Sequence, residues 1–134
     1  MKTNICIILA KYYPNISENL LRGASQYLKK NKKKFKIIET TGVFEIPVII
    51  SRNIKKFDAF IALGCVIKGQ TPHFDFISQS TTDALMNLAV NNKKPIGNGI
   101  ITCLNMNQAV ERSHHKKKNK GREAANAVLS VLGN

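Results

Sequence analysis

The run Gly64-Cys65-Val66-Ile67-Lys68-Gly69-Gln70-Thr71-Pro72-His73-Phe74-Asp75 brings a hydroxyl, an imidazole and a carboxylate close together. It follows an apolar stretch and leads into a helical pattern, so these groups fall at a helix N-terminus. Free backbone N–H groups and the positive end of the helix dipole suit such a place to an anion such as phosphate. A capped helix carrying a surface histidine fits the same residues, and spacing alone leaves both readings open. In Gly42-Val43-Phe44-Glu45-Ile46-Pro47, backbone donors and acceptors flank one carboxylate, Glu45. A carboxylate in the first turn of a helix is also simply favourable capping. A third group lies near the C-terminus, where Glu111-Arg112 is followed by Asn119-Lys120-Gly121. The chain has 4 arginines against 17 lysines. An arginine kept where lysine is the compositional default points to bidentate recognition of a phosphate or carboxylate.

The elements that must position these groups follow a simple rhythm. Ile5-Cys6-Ile7-Ile8-Leu9-Ala10 is a continuous apolar run of strand length, as expected of a strand buried on both faces. Leu20, Leu21, Ala24 and Leu28 recur at helical spacing after Ser17, which could cap that helix. The helix runs out in lysines near Asn31, where cations favour a helix C-terminus. Residues 35–40 alternate as a second strand. Thr41-Gly42 turns into a short helix over 44–54, with Pro47 tolerable in its first turn. A third strand is expected over 57–66. A helix with Thr71 as N-cap and Pro72 as its first residue then runs to about Asn92. A fourth strand over 96–102 and helices over 107–113 and 119–132 complete the chain. This alternation implies an α/β fold with an open parallel sheet covered on both faces, in one domain spanning 1–134. Ligands of such folds bind beyond the carboxyl ends of the strands, where all three chemical groups lie.

Composition narrows the class. Hydrophobic residues make up 43% of the 134 residues, which suits a folded chain. No apolar run reaches the roughly 18 to 20 residues that span a bilayer. The run 5–10 is short, with no small-residue cleavage site behind it, so we expect no secretory leader and a cytoplasmic protein. Cys6, Cys65 and Cys103 lie in apolar stretches at spacings that suggest neither disulfides nor a metal knuckle, and are read as buried thiols. Lys and Arg number 21 against 8 Asp and Glu, a formal charge of +13. A basic chain invites a nucleic-acid reading. The lysine runs 29–34 and 116–118, however, lack interleaved aromatics that could stack on bases, so solvated helix ends are the preferred reading. The paired His114-His115 has no Cys or carboxylate beside it in the sequence, and no metal is expected there.

Taken together, GVFEIP (42–47), ALGCVIKGQTPHFD (62–75), NGIIT with QAVER (98–112) and NKGREAA (119–125) resemble the lumazine synthase family. Tyr12-Tyr13 and the segment through Ala24 are similar to that family's first substrate loop and helix, so the resemblance runs from Ile5 to Leu132. It implies a flavodoxin-like three-layer sandwich with a four-stranded parallel sheet. It also implies an activity: condensation of 5-amino-6-(D-ribitylamino)uracil with 3,4-dihydroxy-2-butanone 4-phosphate, without metal or organic cofactor. Carried over by position, Tyr12 would stack on the pyrimidine. Val43, Phe44 and Glu45 would hold the ribityl chain and ring. Cys65 would line the pocket, with Val66 and Ile67 binding the uracil edge through their backbone. Gln70 and Thr71 would grip the phosphate, and His73 would shuttle protons, for which an ordinary imidazole value near 6.5 is suitable. Arg112 and Lys120 would come from a neighbouring subunit.

Three departures from the family pattern stand out. Asn98 replaces a residue that is often large and apolar and faces the neighbour's pocket. Lys68 replaces the commoner Arg. The loop His114-His115-Lys116-Lys117-Lys118 lacks the glycine of capsid-forming relatives. Because the implied site is shared between subunits, a homo-oligomer is expected. The glycine-free loop and the early first strand favour a pentamer, alone or paired as a decamer, over a sixty-subunit icosahedral shell. Two rivals remain at this point: a paralogue that binds a lumazine or flavin without making it, and a nucleic-acid-binding protein.

Overall fold

A computed structural model describes residues 3–134. Its framework is a parallel sheet of four strands in the order β2-β1-β3-β4. The strands are β1 (Ile5–Ala10), β2 (Phe35–Thr40), β3 (Ala59–Ile67) and β4 (Ile96–Cys103). The central pair explains the continuous apolar runs. Every residue of β1 is buried, as are the first seven of β3, because both strands have neighbours on each side and helices above and below. Of the edge strands, β4 alternates in burial, whereas β2 has no fully buried residue.

Side-chain alternation divides the interior in two. Ile5, Ile7, Leu9, Ile61 and Leu63 point to one face, where they meet Leu20, Ala24 and Leu28 of α1 (Pro14–Lys30). Ala109 of α4 (Met106–Ser113) and Ala125 and Val128 of α5 (Lys120–Leu132) close the same layer. Cys6, Ile8, Ala10, Phe60 and Ala62 point to the other face. That face is covered by a 3-10 turn at Val43–Glu45, by α2 (Ile46–Asn53) and by α3 (His73–Asn92). The result is the three-layer α/β arrangement expected from the sequence.

Several helix starts differ from expectation, each for a local reason. Ser17 is not an N-cap. The helix α1 begins at Pro14, whose fixed φ suits a first turn, and Ser17 is buried inside it with its hydroxyl donating to the carbonyl of Ala10. The expected helix over 44–54 is divided, because a tight 3-10 turn at 43–45 precedes α2. At α3, Pro72 takes the cap position and His73 is the first helical residue. Thr71 is therefore not the cap, and its Oγ1 accepts only a long 3.4 Å bond from the His73 amide. The strand β3 lies two residues later than expected at its start and one at its end. The last helix begins at Lys120, with Asn119 as its cap.

That cap is also a joint. Asn119 is fully buried, and its side-chain amide donates to the carbonyls of Asn19 and Ser113 while its oxygen accepts from the Arg122 amide. A methyl group added at Gly121 would lie 2.0 Å from the carbonyl oxygen of Leu20, and one at Gly23 would meet the Asn119 side chain. The helices α1 and α5 thus approach closely at these two glycines.

Candidate active site

At the carboxyl ends of β1 and β3 the structure opens a cleft of about 720 Å3. It is bounded by the loop after β1 (Tyr12, Tyr13), the turn after β2 (Thr41 to Glu45), the end of β3 (Cys65 to Ile67) and the first turns of α3 (Thr71 to Ile77). These are three crossover connections of one parallel sheet, after β1, β2 and β3, the position from which open α/β folds bind ligands. The volume is ample for a small heterocycle with its side chain.

Two close approaches shape the floor. At Gly64 a side chain would collide with Val43 at 2.6 Å, so the glycine lets the 3-10 turn sit directly on β3. At Gly42 an added methyl would stand 3.0 Å from Glu45 Oε1, so the carboxylate folds back over the turn that carries it. Glu45 therefore has a defined place at the rim, where a hydroxyl-rich ligand could donate to it. Its carboxylate takes part in no salt bridge among the described residues.

The walls differ in chemistry. Tyr12 and Phe44 are 66% and 59% exposed, far too open for core residues, and both line the cleft. The Tyr12 ring is steadied edge-on by Tyr13 at 5.0 Å. At the start of α3 the His73 amide donates to Thr71 Oγ1 and the Asp75 and Phe76 amides to the Pro72 carbonyl, which leaves the Phe74 amide and the helix dipole for an anion. Thr71 and His73 stand at this end, both exposed. Cys65 is buried in the cleft wall, and burial together with the neighbouring Cys103 pushes its thiol up to about 12. It remains a neutral, unreactive wall at physiological pH. Tyr13 is likewise held above the usual phenol range, chiefly by burial and then by Cys65 and Tyr12.

The structure thus brings Tyr12, Val43, Phe44, Glu45, Cys65, Val66, Ile67, Thr71 and His73 to one cleft. Gln70 lies between two of its lining residues on the exposed loop but is not itself part of the wall. Asn98, Arg112 and Lys120 are outside it. Asn98 is exposed on the edge strand β4, with its side-chain oxygen accepting from the Ile100 amide. Arg112 is exposed on α4 at the carboxyl end of β4, where Nη1 donates to the Thr102 carbonyl at 3.1 Å and to Cys103 Sγ at 3.8 Å. Lys120 pairs with Glu123 at 3.3 Å at the start of α5. His114 and His115 stack at 4.8 Å on the loop before α5, where His115 is held below the ordinary imidazole value by desolvation and by His114, Arg22 and Lys116. Sequence reasoning passed over Tyr13, Thr41, Phe74 and Ile77 as lining residues. Phe74 and Ile77 carry the helical spacing that would have marked them, because α3 must turn one face to the cleft in its first turns.

The chain is similar over nearly its whole length to known proteins. The family model for 6,7-dimethyl-8-ribityllumazine synthase matches residues 2–133. A protein of that name from Buchnera aphidicola subsp. Baizongia pistaciae is 43% identical, over 98% of this chain and 86% of the relative. Those of Bartonella tribocorum and Agrobacterium fabrum are 40% and 38% identical, each over 98% of this chain and over 89% and 93% of the relative, respectively.

Proposed function

Because the chain belongs to the 6,7-dimethyl-8-ribityllumazine synthase family, we propose that its cleft is one half of an active site completed by a second copy of the chain. The enzyme is a transferase of riboflavin biosynthesis. It condenses 5-amino-6-(D-ribitylamino)uracil with 3,4-dihydroxy-2-butanone 4-phosphate to the lumazine, releasing phosphate and two waters. The cleft serves both substrates side by side. Tyr12 and Phe44 sandwich the pyrimidine, Glu45 accepts from the ribityl hydroxyls, and the backbone of Val66 and Ile67 meets the uracil edge, beside the wall formed by Val43 and Cys65. The phosphate of the second substrate sits at the start of α3 against Gln70 and Thr71. His73, in the first turn of the same helix, moves protons as the amine attacks the ketone, the Schiff base forms, phosphate leaves and the ring closes. Holding two reactants in one geometry supplies much of the acceleration.

The observation that carries the shared site is an asymmetry. Aromatic, carboxylate, hydroxyl and imidazole groups line one cleft, whereas the exposed Arg112, anchored at the carboxyl end of β4, lies outside that cleft. The flanks of the molecule agree with this. Leu104, Met106 and Val110 are exposed around Arg112, while Tyr12, Phe44 and Val48 are exposed around the cleft. Joining one flank to the other on the next copy buries both, and repeating that heterologous contact closes a ring. The ring is a pentamer, alone or paired, in the cytoplasm, each chain forming one domain. Arg112 and Lys120 of one copy, with Asn98 on its edge strand, then reach the substrates of the next.

Subunit mixing tests this. Glu45→Ala and Arg112→Ala are each expected to turn over poorly as pure proteins. Coexpressed in equal amounts and randomly arranged, they place an intact cleft beside an intact Arg112 at about a quarter of the sites. Lumazine formation followed by absorbance should recover to that order. No recovery in mixed oligomers whose mixing is verified by mass would show that each chain works alone.

A further inference from the structure

The guanidinium of Arg112 does not project freely. Its Nη1 is engaged on the inward side by the carbonyl of Thr102 at 3.1 Å and by the sulfur of Cys103 at 3.8 Å, while the residue as a whole remains exposed. Both partners sit at the carboxyl end of β4, two consecutive residues whose side chains point to opposite faces. Thr102 contributes backbone, which any residue supplies. Cys103 contributes a side chain, and it is fully buried. Its sulfur also neighbours Cys65, whose thiol is buried in the cleft wall.

We propose that Cys103 is a positioning residue for the reaction: its sulfur accepts from Arg112 and, with the Thr102 carbonyl, turns the outer edge of the guanidinium toward the phosphate held by the next copy of the chain. This rests on the reading of Arg112 as a phosphate ligand across the subunit boundary. An arginine has several rotatable bonds and loses entropy when a bidentate contact fixes it. Anchoring one nitrogen beforehand removes part of that loss before the substrate arrives. A sulfur accepts an N–H weakly, but a charged donor strengthens the bond, and the buried thiol cannot swing away to water. The strand makes the anchor rigid, since Ile67 and Cys103 are paired in register and the Lys68 amide donates to the Cys103 carbonyl at 2.9 Å.

The test separates acceptor from volume. Cys103→Val keeps the apolar bulk and loses the acceptor, and Cys103→Ser keeps an acceptor in a smaller side chain. In the assembled enzyme, Cys103→Val should raise the KM for dihydroxybutanone phosphate by roughly three- to tenfold. The kcat and the KM for ribitylaminouracil should stay near wild type, and Cys103→Ser should recover most of the loss. Inorganic phosphate, as a competitive probe, should bind more weakly to the valine variant by a similar factor. In Arg112→Ala the further change Cys103→Val should have no effect on either constant, because the residue it aims is gone. If Arg112→Ala raises the phosphate-substrate KM while Cys103→Val leaves it unchanged, the positioning role is overturned and the shared clamp stands. An unchanged KM in Arg112→Ala overturns the clamp itself. A valine variant that loses kcat and both KM values together, with serine no better, assigns Cys103 to packing only.

Discussion

At the scale of single residues, the cleft sets groups proposed to meet substrate beside groups that stay inert. His73 is of the first kind under that proposal. It stands in the first turn of α3 beside Thr71 in the cleft wall, a place that suits proton transfer by one side chain. General acid–base help of this sort is worth about 10²- to 10⁴-fold, while proximity is supplied by the rest of the cleft. We therefore expect His73→Ala to keep slow turnover well above the uncatalysed rate, with kcat reduced and little change in the KM for either substrate. Steady-state kinetics showing complete loss would mean that the histidine does more than move protons. Cys65 belongs to the second kind, and Cys6, buried in the core away from the cleft, is inert for the same reason. Burial pushes their thiols up to about 12 and about 11 from an ordinary value near 9.0. Both shifts are upward, so the folded state holds these protons more tightly than the unfolded chain does. Their contribution to stability is complete below the ordinary thiol range and is lost as pH rises from there toward the folded values. Urea midpoints should fall between about pH 9 and 11, and Cys65→Ala should make that fall shallower by at most about 1.4 kcal/mol per pH unit. Comparing the two proteins cancels the deprotonating lysines, and equal slopes would contradict the buried thiol.

At the scale of elements, the decisive contact joins α1 to α5. Gly121→Ala would push a methyl into the Leu20 carbonyl, an atom that cannot move without distorting α1. We expect a loss on the order of 2 kcal/mol or more, visible in thermal unfolding, because overpacking against backbone finds no relief. Since Lys120, the first residue of α5, directly precedes Gly121, the same substitution should also weaken substrate binding in the protein that remains folded if Lys120 meets substrate as proposed. This is where reading the sequence reached its limit. The buried strands were legible as runs such as 5–10, because a central parallel strand excludes polar side chains on both faces. The cleft residues were legible because several chemical types crowd into three short loops. Asn119 was read as part of a site, but it proves to be a buried hydrogen-bonding hub, since nothing in Asn-Lys-Gly states that its partners will be the distant Asn19 and the Ser113 carbonyl. Ser17 failed for a related reason. Its hydroxyl looked like a cap, but Pro14 starts the helix earlier and the serine is drawn inside against β1. Local patterns predict elements, whereas contacts across a hundred residues decide what a polar side chain does within them.

At the scale of the whole molecule, assembly must overcome charge. Each copy carries a formal +13, with 21 cationic side chains against 8 carboxylates, and the proposed ring would multiply that field. Like charges at this density oppose association, and the opposition is screened over about 10 Å at 0.1 M salt. The attraction proposed here is apolar: Leu104, Met106 and Val110 on one flank against Tyr12, Phe44 and Val48 on the other. Burial of that kind is insensitive to moderate salt, so the balance between the two terms gives a signed expectation. Raising ionic strength from 0.02 to 0.2 M should strengthen the ring, shifting sedimentation and light scattering from smaller species toward a pentamer or a pair of pentamers. Turnover per chain should rise with it, because under the shared-site proposal an isolated copy lacks the arginine that completes its cleft. Val110→Asp should weaken the ring at every salt concentration and lower turnover, and raising the protein concentration should restore it. Dissociation on adding salt would mean that ion pairs between copies hold the ring, and a megadalton particle would mean that the loop at 114–118 does not prevent a shell.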